Sequence, residues 1–321
     1  MRFTKQLLIG SALFLVASFP ASGWPQTQNS HPAQPGAINY VEGQGSIGTE
    51  MLSPSSVGSV VLGAGQTLDT QAGKVEVLLS PGVFLRVDDN SSVKMLNAGL
   101  ANTAVELDKG HAMVESTDIT KNNDIRVQQD GANTRILKNG LYEFDANENA
   151  IRVFKGKAEV VYNDQKMDLG NERQVVLTPN TKLKVDSFDS RKYEDDLFRW
   201  SALRSGYLSE ASADQARLYV NGGPGWVGPG WYWDPWFSCY TFIPGDGIFY
   251  SPFGWGFYSP FAIYRTPFFY GGYWGRPHPF GEVHYPYGHG MEPHGGFRGP
   301  VGGFHGGGFG GARGGFGGGR R

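Results

Sequence analysis

The chain has 321 residues and a formal net charge of −2, with 48 glycines, 19 prolines and a single cysteine. Glycine does not recur at every third position, which excludes collagen, and the near-neutral balance excludes the basic face needed to track a nucleic-acid backbone. The glycines are segregated: 30 of the 48 lie in residues 221–321, with 28 of the 44 aromatics and no Leu or Lys. Aliphatic core material therefore sits before about Val220.

The N-terminus has the pattern of an export signal. Arg2 and Lys5 precede an apolar run from Leu7 to Phe19, and Ala21-Ser22-Gly23 puts small residues where a signal peptidase cleaves. Residues 1–23 are predicted to be removed, leaving Trp24 first, a periplasmic or secreted protein, and no membrane span. As a helix the run reaches roughly 20 Å, short of the ~30 Å hydrocarbon core. The alternative is an uncleaved run kept as an anchor. No Cys follows the run to carry a lipid, and Cys239 has no partner within the chain, so it is read as a free thiol or an intermolecular disulfide.

Residues 24–36, rich in Pro, Gln, Asn and Ser, are predicted to be a disordered leader. From 37 to 187 short alternating runs are separated by turn residues. Val75, Val77 and Leu79 alternate before Ser80-Pro81-Gly82, and Val83, Leu85 and Val87 alternate after it. Val93 with Met95, Val105 with Leu107, Ile125 with Val127, Tyr142 with Phe144, and Ile151 with Val153 continue the pattern. Period two at this spacing predicts an all-β sandwich, barrel or solenoid whose strands bury one face.

Residues 188–220 switch period. After Asp189 or Ser190, either able to cap a helix, apolar residues recur at Tyr193, Leu197, Trp200, Leu203 and Tyr207, and an Ala-rich stretch runs from Ser209 to Tyr219. One or two short amphipathic helices are predicted, docked on the sheet or binding a partner. Residues 221–294 are Pro/Gly/aromatic-rich. Residues 295–321 hold only four Phe against many Gly, too little apolar surface to offset the entropy of ordering them, and are predicted to be disordered.

Chemistry-bearing motifs are sparse. Gly43-Gln-Gly45-Ser-Ile-Gly48 fits a dinucleotide fingerprint, but no helical period follows to hold a pyrophosphate, so it is read as a turn between strands. There is no G-x-S-x-G, H-E-x-x-H, P-loop or C-x-x-C, and no catalytic, cofactor or metal residue is assigned. His111 is read as a turn or strand-edge residue, and the pairs Asp88/Asp89 and Asp195/Asp196 as solvated neighbours. His278, His284, His289, His294 and His305 have no closed-site spacing, and Arg298, Arg313, Arg320 and Arg321 give too little charge for RNA. Trp226, Trp231, Trp233, Trp236, Trp255 and Trp274 are candidates for stacking on sugar or protein, or for wrapping over the β-domain.

Several segments between Gly58 and Val161 together resemble the FecR domain of bacterial envelope proteins. They are Gly65-Gln-Thr-Leu-Asp-Thr70, the hairpin Val75 to Val87, Ser91-Ser-Val-Lys-Met95, Val105-Glu-Leu-Asp-Lys-Gly110, Gly140-Leu-Tyr-Glu-Phe-Asp145 and Ile151 to Val160. The whole layout is similar to exported FecR-domain proteins of Acidobacteria-like bacteria. The resemblance implies an extracytoplasmic, non-catalytic, solenoid or jelly-roll-like domain without cofactors. In that family such a domain relays a signal from an outer-membrane transporter to a cytoplasmic sigma factor. Only Met1 to Gln6 precede the apolar run, so a cytoplasmic anti-sigma segment is not expected here. The leading expectation is an envelope module binding protein or polysaccharide, and the alternative a membrane-anchored regulator of the sigma-factor type.

Overall fold

The computed structural model describes residues 33–179, 182–220 and 225–264. The signal at 1–23, most of the leader, Trp274, the five C-terminal histidines and the tail at 295–321 lie outside the described residues. Local turn chemistry sets the strand boundaries. In the hairpin at Ser80-Pro81-Gly82-Val83, proline presets a negative φ and Gly82 takes φ +77, the pairing a type II turn requires.

One wing of the sheet runs from β3 (Thr67–Ser80) through β4 (Val83–Val87), β7 (His111–Ser116), β10 (Gly140–Asp145) and β11 (Ala150–Lys155) to β14 (Arg173–Val176) and β15 (Val185–Ser187). The other leaves β3 through β5 (Ser92–Ala98), β6 (Asn102–Lys109), β8 (Asp124–Gln129) and β9 (Ala132–Ile136) to β12 (Ala158–Tyr162) and β13 (Gln165–Leu169). Thr67 to Asp69 pair with β5, and Val75 to Ser80 pair with β4, so the two wings spring from opposite ends of one long strand. Strand β1 (Ile38–Ile47) pairs along β3, and β2 (Glu50–Leu52) pairs with β1. The wings enclose a shared aliphatic core that includes Val77, Leu85, Val105, Val127, Ile151 and Val160. The domain is all-β, as the alternation predicts. Gly43 and Gly45 flank a bulge within β1 and Gly48 lies in the turn after it; no helix starts there.

The expectation of one buried face fails in the wing of β4. Every residue of β4 is buried, and β7, β10 and β11 are buried nearly throughout. Their second face is covered by α1 (Asp196–Leu218) and by two hairpins, β16 (Gly230–Asp234) with β17 (Cys239–Ile243) and β18 (Ile248–Tyr250) with β19 (Gly256–Tyr258). Leu78 and Phe84 of the sheet, Leu208 of α1, and Tyr240, Phe242 and Phe257 of the hairpins form a second core. The compositional boundary near Asn221 is therefore not a packing boundary. Cys239 is a free thiol fully buried in β17, and burial pushes its pKa up to about 12. That removes it as a candidate for an intermolecular disulfide.

Of the one or two short helices expected, the structure has one long one, α1, running through both stretches. Asp189 caps only a short 3-10 turn, Ser190–Tyr193, whereas Asp195 accepts from the Phe198 N–H and caps α1. The buried stripe is also rotated from the expected apolar one. Leu203 is 56% exposed, while Leu197, Ser201, Arg204, Ser205, Leu208 and Ser212 face inward. Small residues let the helix approach closely, and its polar groups meet charges waiting on the sheet.

Candidate functional site

Two charged clusters occupy the covered face of the β4 wing, and both begin as cross-strand pairs. Glu76 lies opposite Arg86 in the β3–β4 hairpin, and Glu143 opposite Arg152 in the β10–β11 hairpin. Opposite charges facing each other across a ladder attract. Under a cover that excludes water, each must also be completed by further partners.

In the first cluster Arg86 bridges Glu76 at 2.9 Å and Glu115 at 2.5 Å, all three side chains being inaccessible to solvent. From α1, Arg204 reaches Glu76 at 3.0 Å and stacks over the Tyr40 ring at 4.0 Å, while Ser205 donates to Glu115 at 2.8 Å. Asn39 donates to Glu76 and joins the Tyr240 backbone through both its amide N–H and its carbonyl oxygen. Burial pushes Glu76 up, but Arg204 and Arg86 overcome it and hold the carboxyl below its usual range. Burial of Glu115 outweighs its partners and leaves that carboxyl raised. This cluster is closed and joins sheet, helix and hairpin.

The second cluster borders an open cleft of about 450 Å³ where the ends of β4, β7 and β10 meet the start of α1. His111 presents Nδ1 to Asp88 at 3.4 Å and to Asp195 at 3.5 Å, and Nε2 to Glu143 at 3.3 Å. With carboxylate oxygens facing both ring nitrogens, the ring carries two protons and has no lone pair to act as a base. Burial lowers the imidazole's proton affinity, but Asp88 and Glu143 reverse this and raise its pKa to about 10. Arg152 pairs with Glu143 at 2.5 Å and with Glu148, and lies 4.0 Å over the Tyr193 ring. Lys74 bridges Asp88 at 3.1 Å and Asp196 at 2.8 Å.

His111 opens β7 at the strand edge, as read, with carboxylates of three elements around it, and Asp88, Asp195 and Asp196, unlike the exposed Asp89, are paired rather than merely solvated. Asp88, Asp195 and Asp196 tie the helix start to the sheet. Sequence reasoning missed Glu76, Arg86, Glu115, Glu143, Arg152 and Arg204. A usable signal was present, since Glu76 and Arg86 stand symmetrically about Pro81 amid apolar neighbours. Among the described residues no group of His, Cys, Asp and Glu has the arrangement of a metal site.

The tryptophans are placed differently from one another. Trp233 fills space over Gly58, where an added Cβ would lie 2.7 Å from its ring, and Gly58 also has φ +73. Trp231 and Trp233 pack against the second core, and Trp255 lies against Gly206 and donates to the Ala202 carbonyl. Trp226 stacks on Tyr232 with centroids 5.4 Å apart, and Trp236 is 77% exposed.

A family model described as FecR protein matches residues 66–159. No curated protein matches the chain. Two crystal structures of candidate anti-sigma factors from Parabacteroides distasonis are similar to it. One, at 1.65 Å, has 16% identity over 56% of this chain and 85% of that one, with a TM-score of 0.36. The other, at 2.50 Å, has 15% identity over 56% of this chain and 97% of that one, with a TM-score of 0.35. The matched segment, residues 66–159, runs from the start of β3 into β12 and so takes in most of both wings of the sheet.

Proposed function

We propose that this protein is a non-catalytic regulator of the FecR type, working in the cell envelope by binding a protein partner and relaying a signal. The similarity to FecR protein over residues 66–159 carries the reading. The charges around His111 support the non-catalytic part: the imidazole is held between carboxylates, and Arg152 and Lys74 are committed to ion pairs. Such a protein acts through its surface rather than through a reactive group. Deleting the gene and profiling transcripts tests the relay. A defined set of envelope or transporter genes changes expression if the reading holds, and an unaltered profile under every growth condition overturns it. Mass spectrometry of the mature N-terminus decides the mode of attachment, because a chain starting at Trp24 has lost the apolar run 7–19.

A second reading, an envelope module that binds polysaccharide, is favoured by the 77% exposed ring of Trp236. A Trp236→Ala variant that keeps full retention on isolated cell-wall polysaccharide removes the support of that ring.

A further inference from the structure

From β3 to β15 the connections between consecutive strands alternate between the two ends of the sheet, and the ends differ in charge. Each connection is taken with the strand residue on either side. The end at which His111 opens β7 then carries Asp88, Asp89, Asp130, Asp145, Glu148 and Asp164 against Lys109, Lys182, Lys184 and the His111 ring. The opposite end, at which β3 turns into β4, carries Lys121, Lys138, Lys155, Lys157 and Arg173 against Asp118, Asp124 and Glu172. Much of the negative charge there is engaged. Asp124 is shared by Arg126 and Arg135, and Glu172 accepts from the Ser190 hydroxyl. Lys157 pairs with Asp168 at 2.7 Å, whereas Lys121, Lys138, Lys155 and Arg173 are exposed and, among the described residues, form no ion pair.

Hydrogen bonds knit these loops together. Asn139 donates to the Thr117 carbonyl and accepts from the Ile119 N–H, the Tyr142 hydroxyl donates to the Lys138 carbonyl and accepts from the Lys157 N–H, and Asn171 accepts from the Gly156 N–H. Leu100, 56% exposed, sits in the neighbouring β5–β6 turn, where its carbonyl accepts from Ser80 Oγ and that hydroxyl accepts from the Asn123 amide. The cations thus stand on loops fixed to one another, beside an exposed aliphatic side chain. The chain also enters the sheet at this end, the Gly36 N–H donating to the Leu78 carbonyl two residues before β3 finishes.

We propose that this end of the sheet is the face the protein turns toward a bilayer of anionic phospholipid. That such a bilayer is at hand rests on the envelope reading above; the preference for an extended negative surface rests on this end alone. Basic residues near a negatively charged membrane attract it over roughly one Debye length, about 8–10 Å at physiological salt. Cations spread over four loops match a plane of phosphate headgroups better than one compact anion, and Leu100 is placed to enter the interfacial layer. Repulsion of the carboxylates at the far end favours the same orientation.

The test is co-sedimentation of the full chain with vesicles of phosphatidylcholine alone and of phosphatidylcholine with a quarter phosphatidylglycerol. The apolar run 7–19, where retained, enters both compositions alike, so the ratio between them is the readout. Binding to the anionic vesicles is expected to be at least fivefold tighter, with the gain lost as salt is raised. Lys138→Gln with Lys155→Gln should cut the ratio at least threefold, and Lys121→Gln with Arg173→Gln is a second, independent pair. Asn147→Asp with Asn163→Asp makes the same change in net charge at the far end and should leave the ratio unchanged. All of these residues are exposed, and equal melting temperatures check that each variant is folded. Equal binding to the two compositions overturns the proposal. An equal loss in the near-end and far-end pairs does so too, because net charge and not this end is then at work. So does competition by soluble glycerol phosphate at matched ionic strength, which marks a single phosphate site. An altered transcript profile in the deletion strain without preference for the anionic vesicles removes the membrane-facing surface and leaves the relay standing; the reverse outcome removes only the relay.

Discussion

At the residue scale, charge is buried where alternation predicts a wet face. Glu76, Arg86 and Glu115 are fully buried, and Arg204 and Arg152 nearly so. Removing one member of such a group leaves a buried charge uncompensated, at a typical cost of about 3–5 kcal/mol. Arg86→Met is therefore expected to lower stability by about that amount in urea unfolding. Pairing it with Glu115→Gln should recover part of the loss, because the stranded carboxylate is then neutral. His111 makes a pH-dependent contribution. Its pKa rises from 6.5 to about 10 on folding, so the folded state holds the proton more tightly than the unfolded chain. The stabilisation is complete below about pH 6.5 and is lost as pH rises toward 10. Asp88, Glu143 and Asp195 face the ring, with Lys74 and Arg152 paired behind them. Thermal melts of His111→Gln should fall less steeply than the parent's across that window; parallel curves would refute the assignment.

At the element scale, α1 is held by its start as much as by its face. Asp195 caps the helix through the Phe198 N–H and also faces His111. Asn caps a helix about as well as Asp but carries no charge, so two substitutions separate the roles. Asp195→Ala is expected to cost about 1 kcal/mol for the cap in addition to any loss of attraction to His111, and Asp195→Asn only the latter. Calorimetry giving equal melting temperatures for the two variants would contradict the cap. The existence of the helix was legible from the spacing of Leu197, Trp200 and Leu203, but its buried face was not. Ser201, Arg204 and Ser205 look like a solvent face until Glu76 and Glu115 are placed opposite them.

At the scale of the whole molecule, the aromatic segment belongs to the fold. Tyr240, Phe242 and Phe257 cover Leu78 and Phe84, and α1 is gripped from the hairpin side as well, with Gln215 donating to Asp234 and Thr241 to the Leu208 carbonyl. A chain ending at Val220 would expose that apolar surface and the charges beside it. It is expected to bind a hydrophobic dye and to unfold at lower denaturant than a chain ending at Tyr264, whereas equal midpoints would mean the hairpins are dispensable. Binding studies should accordingly use a protein that retains residues 225–264.

The sequence by itself determined the all-β class and the β3–β4 hairpin, because strand period and turn residues are local properties that survive without knowledge of neighbours, and the same segments carry its similarity to FecR protein over residues 66–159. It located the glycine-rich segment but left open whether its aromatics wrap the β-domain or stack on a ligand, since composition reports how much aliphatic surface a segment has and not whose surface its aromatics cover. Only the tertiary structure decided that the β4 wing is buried on both faces and that His111 stands between Asp88, Asp195 and Glu143. Those carboxylates come from separate elements, and a charge is stabilised or penalised by what lies within a few ångströms in space, however far away that is along the chain.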